Sequence, residues 1–280
     1  MPDPRATSPF YAPTGGRTRS APDRADAVPG FGVGRAKAPV VFITGTDTGA
    51  GKTLLTGLLL SWLRAAGINA LAIKPFASGG MSDARILGKL QSGRLEPSEI
   101  SPYRFRLPLA PAVAAELEGR HVNLKETLKH VERIRRRCHC LLVEGCGGLL
   151  SPLGASYTLL ELIQHCGSHV IVVSRNRLGA INQVLLTVRA LESEGVKSMA
   201  VALMNSRHSG KRLTETNARA MAQRIKSAVL TLPDLGENAC KISGFRAQAK
   251  FLQKTLARLL PSDTVCALLE AAVVEAMVKK

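Results

Sequence analysis

The chain has 280 residues, a formal net charge of +17, a hydrophobic share of 45% and an aromatic share of only 4%. That length suits one large α/β domain or a domain with a tail, and the aliphatic bias implies the Leu, Val, Ile and Ala core of a parallel sheet covered by helices. No apolar run reaches the roughly 18 residues of a membrane span; the basic surplus fits nucleic acid, acidic membranes or small anions without choosing among them.

Residues 1–37 are dominated by Pro, Gly, Ala, Ser and Arg, with no apolar period. Such a segment buries too little surface to fold. It lacks the apolar h-region of a secretory signal, and Asp3, Asp23, Asp26 and its prolines oppose an amphipathic targeting helix. It reads as a disordered extension or a mis-set start, and 38–280 as a single α/β domain.

From Ala38 the pattern changes. Val40-Val41-Phe42-Ile43 is a β-branched run ending in Thr44-Gly45 and reads as a buried strand. A glycine-rich loop follows, then an apolar helix from about Lys52 to Ala66 that Gly67 stops as a C-terminal cap. Ala70 to Ile73 is a second strand, which completes a βαβ unit. Further strands are expected at Cys140–Val143, Val170–Val173, Met199–Met204 and Val229–Leu232. Helices are expected near 112–117, 124–136, 159–165, 180–194, 214–227 and 262–278. The alternation gives a doubly wound, mostly parallel sheet flanked by helices.

Arg133, Arg135, Arg136 and Arg137 cluster before a strand. They read as a solvated helix end, with cations favoured at the negative end of the helix dipole. No aromatic residue lies among them to stack bases. Cys138-His139-Cys140 has a metal-like look, but adjacent strand residues point to opposite faces, so only the two cysteines could share a side. Reduced, partly buried thiols in a cytosolic protein are the better reading.

Five signals carry chemistry. Gly45-Thr46-Asp47-Thr48-Gly49-Ala50-Gly51-Lys52-Thr53 stands between a strand and a helix, as a phosphate loop must. Backbone N–H groups there cradle ATP phosphates, Lys52 neutralises them and the Thr53 hydroxyl suits Mg²⁺. The first glycine lies one residue upstream of its usual place. Lys74, in Lys74-Pro75-Phe76-Ala77-Ser78-Gly79-Gly80, follows the second strand, and ligands bind beyond strand C-termini. Asp83, in Ser82-Asp83-Ala84, reads locally as a helix cap and in the wider pattern as a metal ligand. Val143-Glu144-Gly145-Cys146-Gly147-Gly148 delivers a carboxylate into a glycine loop that backbone can approach closely. Asn205, after Met204, offers the paired donor and acceptor that an adenine edge needs.

Taken in order, GTDTGAGKT (45–53), KPFASGG (74–80), SDA (82–84), VEGCGG (143–148) and LGAIN (178–182) resemble the dethiobiotin synthetase family over about residues 38–240. The resemblance implies a P-loop fold and a cyclo-ligase that closes the ureido ring of dethiobiotin from 7,8-diaminopelargonate, CO₂ or bicarbonate and MgATP. It implies Lys74 as the active-site lysine, Lys52 as the phosphate lysine, and Thr53, Asp83 and Glu144 as metal-holding groups. Thr48 and Ser78 would touch the diamine or its carbamate. Gly49, Ala50, Gly51, Leu54, Gly145, Cys146 and Gly147 would contact ATP, with adenine held by Asn205, Pro233, Asp234 and Leu235. It further implies a cytoplasmic homodimer with Leu178 to Asn182 at the subunit boundary, no membrane and no nucleic acid partner.

There are departures from the family pattern. Gly49 stands where Glu is common, Cys146 where Ala is usual, Ala110 where Ser is common, and the segment after Gly236 matches poorly. Two other classes compete. An amide synthase on the same scaffold needs a glutaminase domain, for which 237–280 is too short. A partition-type, DNA-associated ATPase carries a lysine early in the phosphate loop, where Asp47 stands here.

Overall fold

Six strands form one parallel sheet, with a helix between each strand and the next along the chain, in the computed structural model, which describes residues 37–278 apart from 168, 198, 208, 237, 238 and 240. The extension expected at 1–37 lies, Lys37 excepted, outside the described residues. The sheet order is β10 (Ala228–Leu232), β9 (Met199–Met204), β8 (His169–Arg175), β1 (Val40–Gly45), β5 (Cys140–Glu144), β2 (Ala70–Ile73). All five pairings are parallel. Every residue of β1, β2, β5 and β9 is buried, as a sheet covered on both faces requires. That burial is what made these strands visible as continuous apolar runs.

The first crossover helix, α1 (Lys52–Ala65), carries Leu55, Leu58, Leu59 and Leu60, all fully buried. Each removes from water what amounts to about 2 kcal/mol of apolar transfer energy. The helix ends where Gly67, at φ 79°, donates its N–H to the Arg64 carbonyl. A non-glycine residue there would meet the left-handed steric penalty.

Several short elements escaped the sequence reading. β3 (Phe76–Ser78) pairs in parallel with β4 (Tyr103–Phe105), fastened by the stacked rings of Phe76 and Tyr103, 5.0 Å apart. β6 (Pro152–Gly154) and β7 (Tyr157–Thr158) form a second small ribbon. Runs of two or three residues between Pro and Gly carry no period to detect. Helix α2 (Ser82–Leu90) has Met81 at its N-cap with no side-chain cap, so the local reading of Asp83 as a cap is corrected. Helix α3 (Pro97–Ile100) carries Glu99 in a capping box. Helices α4 (Pro111–Leu117), α5 (Leu124–Arg135), α6 (Leu159–Cys166) and α7 (Ala180–Ser193) lie close to where the period put them. Helix α8 spans Lys211–Ala222, not 214–227: it starts at its Gly210 N-cap and turns at Gln223 to reach β10. Beyond Gly236, α9 (Ile242–Phe251), α10 (Gln253–Ala257) and α11 (Ser262–Val278) follow. Phe245 of α9 packs so closely on α1 that a Cβ at Gly57 would lie 2.3 Å from its ring.

The arginines at the end of α5 are paired. Arg133 and Arg137 reach Glu99 of α3, and Arg136 and Arg135 reach Glu132 within the helix. Arg135 also donates to the Ala38 carbonyl at the entry to β1. These contacts tie a helix end to its surroundings. The Cys138 and Cys140 side chains are buried, and burial pushes the Cys138 thiol up to about 12.

Candidate active site

The phosphate loop leaves β1 at Gly45 and enters α1 at Lys52. Thr46 N–H donates to the Val173 carbonyl, which pins the loop to the neighbouring β8. Gly51 sits at φ 104° as the N-cap of α1, with no side chain capping the first turn. The N–H groups of that turn therefore face outward with a partial positive charge, a ready anion cradle. Lys52 Nζ folds back and donates to the carbonyls of Asp47 (3.0 Å) and Gly147 (2.8 Å). A Cβ at position 45 would lie 3.0 Å from that Nζ and 3.1 Å from the Asp47 carbonyl oxygen, so the glycine one residue upstream of its usual place leaves room for the folded-back lysine. Burial lowers the Lys52 pKa, Glu144 pulls it back and Lys74 lowers it further.

The acidic side of the site comes from two segments. Glu144 ends β5, and its side chain is fully buried. Its Oε1 accepts from Thr53 Oγ1 at 2.6 Å and from Lys74 Nζ at 3.0 Å. Asp83, in the first turn of α2, also accepts from Lys74 Nζ. Burial alone would lower the Lys74 pKa, but the Glu144 and Asp83 carboxylates outweigh it and hold the ammonium well above its ordinary value. Glu144 Oε2 is buried and has no hydrogen-bond partner among the described residues. A hydroxyl and two carboxylates, one of them with an unsatisfied buried oxygen, form a hard oxygen donor set, which fits Mg²⁺. Cys146 is half-buried, and burial keeps its thiol above the ordinary value against the pull of Lys74 and Lys52.

A cleft of about 250 Å³ opens on the other side of the loop. Gly49, Ala50, Gly51 and Leu54 line one wall; Asn205, Pro233, Asp234 and Leu235 line the other. The residues expected to hold adenine are thus gathered beside the phosphate cradle. Thr48 is exposed and borders a separate cavity of about 140 Å³ with Asp47, Arg177 and Gln183. Ser78 does not line that cavity. It ends β3 with its Oγ buried and unpartnered among the described residues.

Sequence reasoning missed Arg175, Asn176 and Asn217. Arg175 ends β8 and donates from Nε to the Gly49 carbonyl at 2.7 Å, and its guanidinium lies 3.2 Å from where a Cβ at Gly49 would stand. Asn176 is buried and bonded to Asn205. The signal available was position: Arg175-Asn176-Arg177 leaves the C-terminal end of a buried strand, where ligands gather in such sheets.

A buried strand, a glycine loop, a Lys-Thr pair on the first helical turn and an acid ending the next strand over define a P-loop nucleotide-binding protein of the α/β class. Solved structures share the fold. The septum site-determining protein MinD from Pyrococcus horikoshii, complexed with Mg-ADP, superposes with a TM-score of 0.52 at 14% identity over 79% of this chain and 94% of its own. A MinC:MinD complex from Aquifex aeolicus superposes at 0.51 and 14% identity over 87% and 97%. The AAA domain family matches residues 40–236. The ATP-dependent dethiobiotin synthetase BioD of Anaeromyxobacter dehalogenans strain 2CP-C is 39% identical over 208 residues, 71% of this chain and 93% of the relative. That of strain 2CP-1 is 45% identical over 58% and 75%, and that of Bacillus subtilis strain 168 is 40% identical over 55% and 69%. The chain belongs to the ATP-dependent dethiobiotin synthetase family.

Proposed function

We propose that the chain closes the ureido ring of dethiobiotin from 7,8-diaminopelargonate and CO₂ at the expense of ATP. An amine of the diamine captures CO₂ as a carbamate. The carbamate oxygen attacks the γ-phosphorus, ADP leaves, and a carbamic–phosphoric anhydride forms. The second amine then attacks the carbonyl carbon, its proton is lost, and inorganic phosphate departs. The difficulty is electrostatic, because a carbamate must approach a triphosphate. The observation that carries the reading is the convergence of the Lys52 and Lys74 ammonium groups on the Glu144 end of β5, 2.8 to 3.0 Å from their partners.

In this reading the first turn of α1 and Lys52 hold the β- and γ-phosphates. Lys74, kept charged by Asp83 and Glu144, meets the anion that develops between carbamate and phosphate; fixed charge aimed at developing charge is the largest usual term in such catalysis. Thr53, Asp83 and Glu144 would hold Mg²⁺. When bound, that ion supplies further neutralisation of the phosphate oxygens. Thr48 and Ser78 would orient the diamine, and the Asn205 cleft the base.

The reading includes a homodimer in the cytoplasm. In support of the homodimer, Leu178 before α7 is 88% exposed and Leu186 in the middle of α7 62%, and Gln183 of that helix borders the Thr48 cavity. No helix among the described residues is long and apolar enough to cross a membrane. The test is phosphate release from MgATP and bicarbonate with and without 7,8-diaminopelargonate, in wild type and Lys74→Ala. Release that needs the diamine and collapses in the variant is expected. Hydrolysis indifferent to the diamine and stimulated by DNA would overturn it.

A further inference from the structure

Beside the base cleft lies a chain of three carboxamides. Asn217 Nδ2 donates to the Arg177 carbonyl at 3.2 Å and to Asn176 Oδ1 at 2.9 Å. Asn176 Nδ2 in turn donates to the Thr214 carbonyl at 3.3 Å and to Asn205 Oδ1 at 2.9 Å. Main-chain carbonyls only accept, so each of the two inner amides has its nitrogen assigned by a backbone oxygen. The polarity then runs one way along the chain and ends with Asn205 Oδ1 as an acceptor. Asn176 is 1% exposed and Asn217 9%. Turning either amide over would set oxygen against oxygen in a buried site, a cost buried polar groups avoid.

The anchors at each end are equally firm. Asn176 N–H donates to the Met204 carbonyl, and its own carbonyl accepts from Ser209 Oγ. Asn205 N–H donates to the Leu232 carbonyl on β10. Asn205 is therefore held by backbone on one side and by Asn176 on the other. Its Nδ2 has no hydrogen-bond partner among the described residues, and the residue lines the cleft.

We propose that Asn176 and Asn217 are positioning residues that lock the polarity of the Asn205 carboxamide and thereby make the cleft choose a 6-aminopurine over a 6-oxopurine. The inference rests on the ATP-dependent reading above. A locked carboxamide offers its unpartnered NH₂ group and one remaining acceptor lone pair in fixed order. A 6-aminopurine edge answers with a ring nitrogen and an amino group. On the same N7 edge a 6-oxopurine presents two acceptors, N7 and O6, and its O6 faces Oδ1. Nothing in this requires contact between nucleotide and Asn176 or Asn217, which act through Asn205 alone.

The test is equilibrium binding of ATP and ITP to wild type, Asn176→Asp and Asn217→Asp, each checked for a cooperative thermal melt. Both variants conserve shape, and neither carboxylate can donate. Wild type is expected to prefer ATP by about tenfold or more, the scale of one good bidentate base contact. In Asn176→Asp the Asn205 amide turns its nitrogen toward the new carboxylate, and the preference falls to near unity or reverses. Asn217→Asp sets a carboxylate against Asn176 Oδ1 while the Thr214 carbonyl still holds Asn176 Nδ2, so the lock is strained and the preference falls, but by less than in Asn176→Asp. A preference unchanged in either folded variant overturns the proposal, as does a wild type that binds ITP as tightly as ATP. Diamine-dependent phosphate release, measured alongside, reads the synthetase function separately, so either idea can fail alone.

Discussion

Lys74 at the exit of β2 and Glu144 at the end of β5 meet at 3.0 Å, and the Glu144 side chain is fully buried. The two strands are hydrogen-bonded neighbours, with Ile73 opposite Val143, so the sheet register itself delivers the ion pair. Removing Lys74 leaves a buried carboxylate without its counter-charge, which costs about 3 kcal/mol or more. Lys74→Ala is therefore expected to lose both stability, by urea denaturation, and diamine-dependent turnover, by about a hundredfold. Adding Glu144→Gln to that variant restores the urea midpoint and leaves turnover low. A double variant that turned over would reduce Lys74 to a neutraliser of Glu144.

Lys52 behaves oppositely to Lys74, because burial outweighs the pull of Glu144 and the neighbouring Lys74 ammonium adds to the lowering. Its pKa lies below the ordinary 10.5 of a lysine. A phosphate binds the protonated form. ATP affinity thus holds at neutral pH and falls as pH rises through the lowered Lys52 value, earlier than an exposed lysine would allow. Binding in that alkaline range takes up a proton, since the triphosphate raises the Lys52 pKa again. Calorimetry of ATP binding in two buffers of different ionisation enthalpy reads the uptake directly. Lys52→Arg, which stays charged, should abolish the pH dependence even where affinity is poor.

Where a residue's chemistry and its strand end coincide, the sequence was readable. Lys74 and Glu144 follow or close apolar strands, Lys52 and Thr53 open the helix after the glycine loop, and the structure brings all four together. Asp83 was ambiguous because a first-turn carboxylate is both a good cap and a good ligand; α2 has no side-chain cap, and Asp83 instead accepts from Lys74, nine residues away. Arg175, Asn176 and Asn217 were illegible for another reason. Their partners lie 126, 29 and 41 residues away, and no local period encodes such pairs. The same holds for α9, whose seat on α1 depends on a glycine far upstream.

Ala110 is the N-cap of α4, extended at φ −55° and ψ 139°, and it has no side chain with which to cap. Ala110→Ser would supply an oxygen to the open N–H groups of the first turn. The expected gain is about 0.5–1 kcal/mol, read as a higher urea midpoint with an unchanged slope. Phosphate release should be unaffected if the hydroxyl only caps. A lowered KM for the diamine would instead show that the same hydroxyl reaches substrate.

Gly57 on α1 and Phe245 on α9 are fitted so tightly that Gly57→Ala has no room: the added Cβ would stand 2.3 Å from the Phe245 ring, which is 1% exposed. Overpacking of this kind costs about 1–3 kcal/mol, more than alanine's better helix propensity returns. Because Lys52 and Thr53 lie on the first turn of the same helix, the strain reaches the site, and KM for ATP should rise along with the loss of stability. Phe245→Leu alone opens a cavity and destabilises by about 1 kcal/mol or more. Together the two changes relieve each other, so their combined cost is less than the sum. Strict additivity in urea denaturation would mean that α9 does not brace the nucleotide helix through this contact.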